Sequence, residues 1–94
     1  MNLNKIKTYM GFAIKSRQIV FGVDSIKEKN VHIIIYSKSL SESSKSGCVK
    51  VSEKNNCKVY EILDEEMFTL VNNEKIKAFA ILNQELAKAI ENNM

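Results

Sequence analysis

The chain has 94 residues, enough for one small domain and too few for two. Hydrophobic residues make up 45% of it and charged residues 27%, a balance that excludes a disordered chain. Lys and Arg number 14 against 11 Asp and Glu, a net charge of +3 that fits an anionic partner but is far from a histone-like tail.

In chain order, Leu3, Ile6, Met10, Ala13 and Ile14 share one face at helical spacing, which predicts an amphipathic helix over 3–15. Ile19 to Phe21 reads as a short strand that Gly22 ends. "DSIKEK" then resumes helical character, with Asp24 or Ser25 as its cap. "VHIIIY", Val31 to Tyr36, is β-branched and almost uninterrupted, the pattern of a central strand covered on both faces.

The following stretch, "SKSLSESSKSGCVKVSEKNN", has the serine content of a linker. Leu40, Ser44, Cys48, Val51 and Asn55 nevertheless keep roughly helical spacing, and Ser41 or Ser43 suits a helix start, so a helix with a soft first turn is predicted. "KVYEIL" is a strand, and "DEEMFTLV" a short helix opened by three acids that suit a helix N-terminus. "IKAFAIL" is a further strand, and "NQELAKAIENN" a closing helix capped by Asn83. This alternation predicts an α/β fold: a three-layer α/β/α sandwich, one domain over 1–94.

No apolar run reaches the ~20 residues of a bilayer span, and "MNLNKIKTYMGF" lacks the apolar core of a secretory signal. A soluble, cytoplasmic protein is expected. Cys48 and Cys57 with the lone His32 fall short of the ligands zinc takes; both cysteines are expected as reduced, buried, unbridged core thiols. His32, inside the predicted strand, reads as a structural histidine. Asp64, Glu66 and Glu28 read as helix-end and surface charges. The chain carries no GxSxG, Walker-type loop or GxGxxG, so no enzyme, cofactor, metal or small-molecule substrate is expected.

The junction at 19–29 is more distinctive. A helix start presents unpaired backbone N–H groups, and Lys15, Arg17, Lys27 and Lys29 lie close to it in sequence. Phosphate contacts would hold a nucleic acid there while polar side chains at the turn read bases. The plain alternative is a tight turn at Gly22 with solvated lysines around it.

"MGFAIKSRQIVFGVDSI" resembles the Leu-Gly-Leu-Ala, basic, Val-x-Gly-x-Asp stretch of the kink-turn RNA-binding ribosomal proteins, the L-seven-Ae/L-thirty-e superfamily, in its small bacterial branch. The likeness continues through "VHIIIYSKSLSESSKSGCVKV", "CKVYEIL" and "AFAILNQELAKAI", nearly the whole chain. It implies an α/β/α sandwich around a four-stranded mixed sheet. It also implies a binding surface at the first strand–helix junction, close to two other loops, for the opened groove of a kinked RNA.

Carried over residue by residue, Gly22 would allow close backbone approach and Asp24 would accept hydrogen bonds from guanine. Lys15, Arg17, Lys27 and Lys38 would face phosphates, and Val23, Ser25 and Asn72 complete the candidate RNA-binding set. The chain departs from the family pattern at Ser25 (Glu in stronger binders), Glu28 (Lys there) and Gln18 (often Lys or Arg). Two family glycines are replaced around Phe68 and Asn72, and Lys38 and Ser39 stand where an acidic pair is usual. The function so implied is binding of a structured, kinked RNA by a small ribosomal-type protein. The rival is a protein-interaction adaptor on the same fold with a weakened RNA site.

Overall fold

A computed structural model describes residues 1–94. The chain runs α1 (Leu3–Lys15), β1 (Ile19–Phe21), α2 (Val23–Lys27), β2 (Ile33–Ser37), α3 (Glu42–Asn55), β3 (Lys58–Ile62), α4 (Asp64–Val71), β4 (Ala78–Ile81) and α5 (Gln84–Glu91). Ile33, Ile34 and Ile35 are all fully buried. Consecutive strand residues face opposite ways, so both faces of β2 must be covered.

The sheet order is β1-β4-β2-β3. β2 and β3 pair in parallel, while β4 is antiparallel to both β1 and β2. The sheet is therefore mixed, and β4 carries the two covered faces in alternation. Phe79 and Ile81 join Ile6, Met10, Ala13, Met67, Leu70, Ala87 and Ile90 under α1, α4 and α5. Ala78 and Ala80 join Ile34 with Ile26, Cys48 and Val51 under α2 and α3. That is the expected three-layer sandwich in one domain. Phe79, wholly buried at its centre, would leave a cavity costing about 3–5 kcal/mol if cut to Ala.

Helix ends follow local chemistry. Asn2, Ser41 and Asn83 each accept a backbone N–H of the first turn, from Lys5, Ser44 and Leu86 at 3.1, 3.3 and 2.9 Å. At α4 the Leu63 N–H instead donates to Glu66 Oε1 at 2.8 Å. α1, α3 and α4 end on left-handed residues, Arg17, Asn56 and Asn72, at φ 58°, 53° and 53°. Asn tolerates that conformation; Arg does so rarely.

Several expectations are corrected. β2 starts at Ile33, because Val31 and His32 are still leading into the sheet. His32 is exposed ahead of the strand, held by its backbone N–H to the Ile81 carbonyl at 2.9 Å, and is not a buried structural histidine. Cys48 is fully buried, but Cys57, in the turn before β3, is only half-buried; both thiols are free. Neither Asp24 nor Ser25 caps α2, whose N-cap is Gly22 itself. No helix is long and apolar enough to cross a membrane.

Candidate nucleic-acid interface

Strand direction decides which candidate residues meet. β1, β2 and β3 run the same way, so Gly22, Lys38 and Leu63 follow their last residues on one edge of the sheet, where β4 begins. The Gly22 N–H donates to the Ala78 carbonyl at 2.9 Å, Ser37 N–H to Lys77 at 2.8 Å, and Lys38 N–H to Ile62 at 2.8 Å. Neighbouring strands lie about 4.8 Å apart, which puts Gly22 and Tyr36, level with Ala78 on either side of β4, about 10 Å apart, with Lys38 two residues farther on. Asn73, Glu74, Ile76 and Lys77 share a cavity on this edge with Ser37 and Ser39, so the segment that Asn72 opens reaches the same edge.

Gly22 adopts φ 88°, ψ 149°. Those angles border a region that essentially only glycine occupies. No atom stands within 4 Å of where its Cβ would be, so the backbone is open on that side. Val23 is half-buried and packs toward α3, while Asp24 and Ser25 are exposed. A five-residue helix carries little macrodipole. What this turn offers a ligand is bare backbone and the Asp24 carboxylate.

The cations divide. Lys15 and Arg17 precede β1, and the Leu82 N–H holds the Gln18 carbonyl at 2.7 Å on the opposite edge. Gly22 follows Arg17 by five positions, about 16 Å of extended chain. The structure therefore does not bring Lys15 and Arg17 to the Gly22 turn. Lys27 lies at the far end of α2 against Gly47 of α3: a Cβ on Gly47 would stand 3.1 Å from Lys27 Cε. Lys38 shares a cavity with Asp64 and Glu65, and Asp64 Oδ1 accepts the Ser39 N–H at 3.2 Å. The β2–β3 side of the edge is thus flanked by carboxylates. Gly22 lies on its β1–β4 side, and Lys77, just before β4, shares a cavity with Asp64, Glu65 and Glu74.

Lys77 went unremarked in the sequence because only the antiparallel pairing of β4 places it beside Ser37. Two basic residues are committed to the scaffold. Lys45 Nζ is 2.9 Å from Glu61 and 3.8 Å from Glu42, and Lys58 Nζ is 2.9 Å from Glu91. The hydrogen bonds that the Lys45 and Lys58 ammonium groups donate to Glu61 and Glu91 keep them charged to higher pH than usual. Burial pushes the Cys48 thiol up, and the Lys27 charge beside it pulls partly the other way. Lys27 thus faces α3 and not the Gly22 turn. No group of three His, Cys, Asp or Glu side chains is close enough to hold a metal ion.

No family model matches the chain, and no curated protein does. Among solved structures, 71 chains are similar. One is a protein with unknown function from Bacillus halodurans, 16% identical, with a TM-score of 0.68 over 93% of this chain and 97% of that one. Likeness at that identity speaks for the fold alone.

Proposed function

We propose that this protein binds a sharply kinked RNA, non-enzymatically, through the sheet edge at Gly22. The observation that carries the reading is the open backbone at Gly22, φ 88° with nothing over it, next to the exposed Asp24 and Ser25. A kink splays the deep, narrow groove of A-form RNA and lets a protein turn reach base edges. Gly22 and Val23 form the close-approach backbone, and Asp24 accepts from guanine amino or imino groups. Lys77 and Lys38 neutralise phosphates along the edge, each against the competing Asp64 and Glu65 carboxylates beside it. Lys15 and Arg17 serve only an RNA that passes along the edge strand β1 to the other side of the sheet.

The resemblance of the chain to kink-turn binders supports this reading. Asp24→Ala tests it. Loss of a base-edge contact lowers affinity for a kinked RNA by about tenfold or more and leaves affinity for a straight duplex unchanged. Equal affinity of variant and wild type for the kinked RNA overturns the assignment of Asp24.

A second reading, a protein-binding adaptor on the same fold, is favoured by Phe12 and Ile14, which are 53% and 54% exposed near the end of α1. On that reading neither RNA binds with a preference.

A further inference from the structure

A groove between α2 and α3 has a chemistry unlike the other concavities of the molecule. It has a volume of about 370 Å³ and is lined by Lys27, Ser43, Ser46, Gly47, Lys50 and Lys54, with Val51 at its floor. No carboxylate lines it, whereas each of the other three cavities holds at least one. None of its lysines forms an ion pair, while Lys45, on the same helix, is tied to Glu42 and Glu61.

Its donors are strung out and not convergent. Ser43, Ser46, Lys50 and Lys54 recur roughly once per turn on one face of α3, a span of about 16 Å at 1.5 Å per residue. A single small anion would be met by a closed set of donors. A row this long suits a chain of phosphates. Gly47 leaves room for Lys27 to complete the row from the α2 side: a Cβ there would stand tight against Lys27 Cε at 3.1 Å and in ordinary contact with Nζ at 3.5 Å. Val23, which follows Gly22, packs beside the same glycine, at 3.8 Å from that Cβ position. The groove therefore runs beside the helix that Gly22 opens.

We infer that this groove is a second, sequence-independent binding surface for the phosphate backbone of the duplex that flanks the kink. Lys27, Lys50 and Lys54 supply charge, and Ser43 and Ser46 supply hydroxyl donors. It rests on the RNA reading above.

The test compares two RNAs with the same kinked core, one trimmed to the core and one carrying a flanking duplex of about ten base pairs, roughly one helical turn. The variant combines Lys50→Gln and Lys54→Gln; both residues are exposed and unpaired, and its unfolding midpoint is checked against wild type. Its affinity for the extended RNA falls about tenfold, and the slope of log affinity against log salt shrinks by about 1.8, two phosphate contacts. With the trimmed RNA the slopes of variant and wild type coincide. Lys5→Gln with Lys7→Gln, on the opposite layer, controls for net charge and changes neither slope. Equal slopes on the extended RNA, or the same reduction on both RNAs, overturn the inference. A wild type that prefers neither kinked RNA over a straight duplex overturns the RNA reading, and this one with it.

Discussion

The Gly22 N–H donates to the Ala78 carbonyl at 2.9 Å, and that bond joins the first strand–helix turn to the start of a strand far along the chain. It brings Lys77 next to Gly22 and makes one edge of the sheet out of three separate segments. It also fixes the turn from the protein side, so the φ of 88° at Gly22 is held by the sheet.

Replacing Gly22 therefore acts on two levels. A Cβ forced into this backbone region costs about 1–3 kcal/mol in stability, although no neighbour crowds it. Gly22→Ala should lower the urea midpoint accordingly. At temperatures where the variant remains folded, its affinity for a kinked RNA should fall by more than the strain explains, because the open backbone is covered. A folded variant that binds as wild type would show that Gly22 serves the turn alone.

Gly47→Ala should behave in the opposite way. Gly47 sits within α3, where glycine is less favourable than alanine by about 1 kcal/mol. The atoms a Cβ would meet are the far end of Lys27, which is free to swing away. A gain of up to about 1 kcal/mol is expected, read as a melting shift of about 4–8 °C. A loss of stability would mean that Lys27 is held in place more firmly than an exposed lysine should be.

Arg17 ends α1 in a left-handed conformation, with Gln18 N–H on the Ala13 carbonyl at 2.7 Å and Arg17 N–H on Ile14 at 3.2 Å. Glycine is the usual residue in this motif. Arg17→Gly should stabilise the protein by up to about 1 kcal/mol, relief of left-handed strain set against a more flexible unfolded chain. RNA affinity should change little, since Arg17 lies on the edge opposite Gly22. A large loss of affinity would place an RNA along β1.

The two thiols set a limit on alkaline stability. Burial raises both Cys48 and Cys57 above the ordinary value of 9.0. Between that value and their raised ones, the unfolded chain has released protons the fold still holds. Unfolding is therefore favoured as pH rises, and stability falls above about pH 9. Lys45 acts higher, since its contribution persists below the ordinary 10.5 and is lost only as pH climbs through its raised value. Urea midpoints from about pH 8 to about pH 10 should decline less in Cys48→Ala/Cys57→Ala than in wild type. A thiol reagent should modify half-buried Cys57 before Cys48, and unfolding should expose both. Parallel pH profiles, or a faster Cys48, would contradict the burial described.

The layers of the fold were legible because burial leaves a periodic trace: Ile33 to Ile35 read as a doubly covered strand, and Ile6, Met10 and Ala13 as one helix face. Gly22 was legible too, as a glycine closing an apolar run. Sheet order was not, since it depends on pairing partners as distant as Phe21 and Phe79. Lys15 and Arg17, near Gly22 in sequence, are carried to the other edge by a three-residue strand, while distant Lys77 arrives beside it. His32 and Cys57 were placed too deep because the ends of β2 and β3 carry no local mark. The groove on α3 lay hidden in a serine-rich stretch whose composition suits a linker as well as a helix.

One measurement bears most directly on the RNA reading: a filter-binding titration of wild type with a kinked RNA and a straightened control of the same length, repeated over a range of salt. Tighter binding to the kinked RNA is expected, with log affinity falling against log salt by about 0.7–0.9 for each phosphate contact. Equal binding to both RNAs, or an affinity that salt does not change, would contradict it.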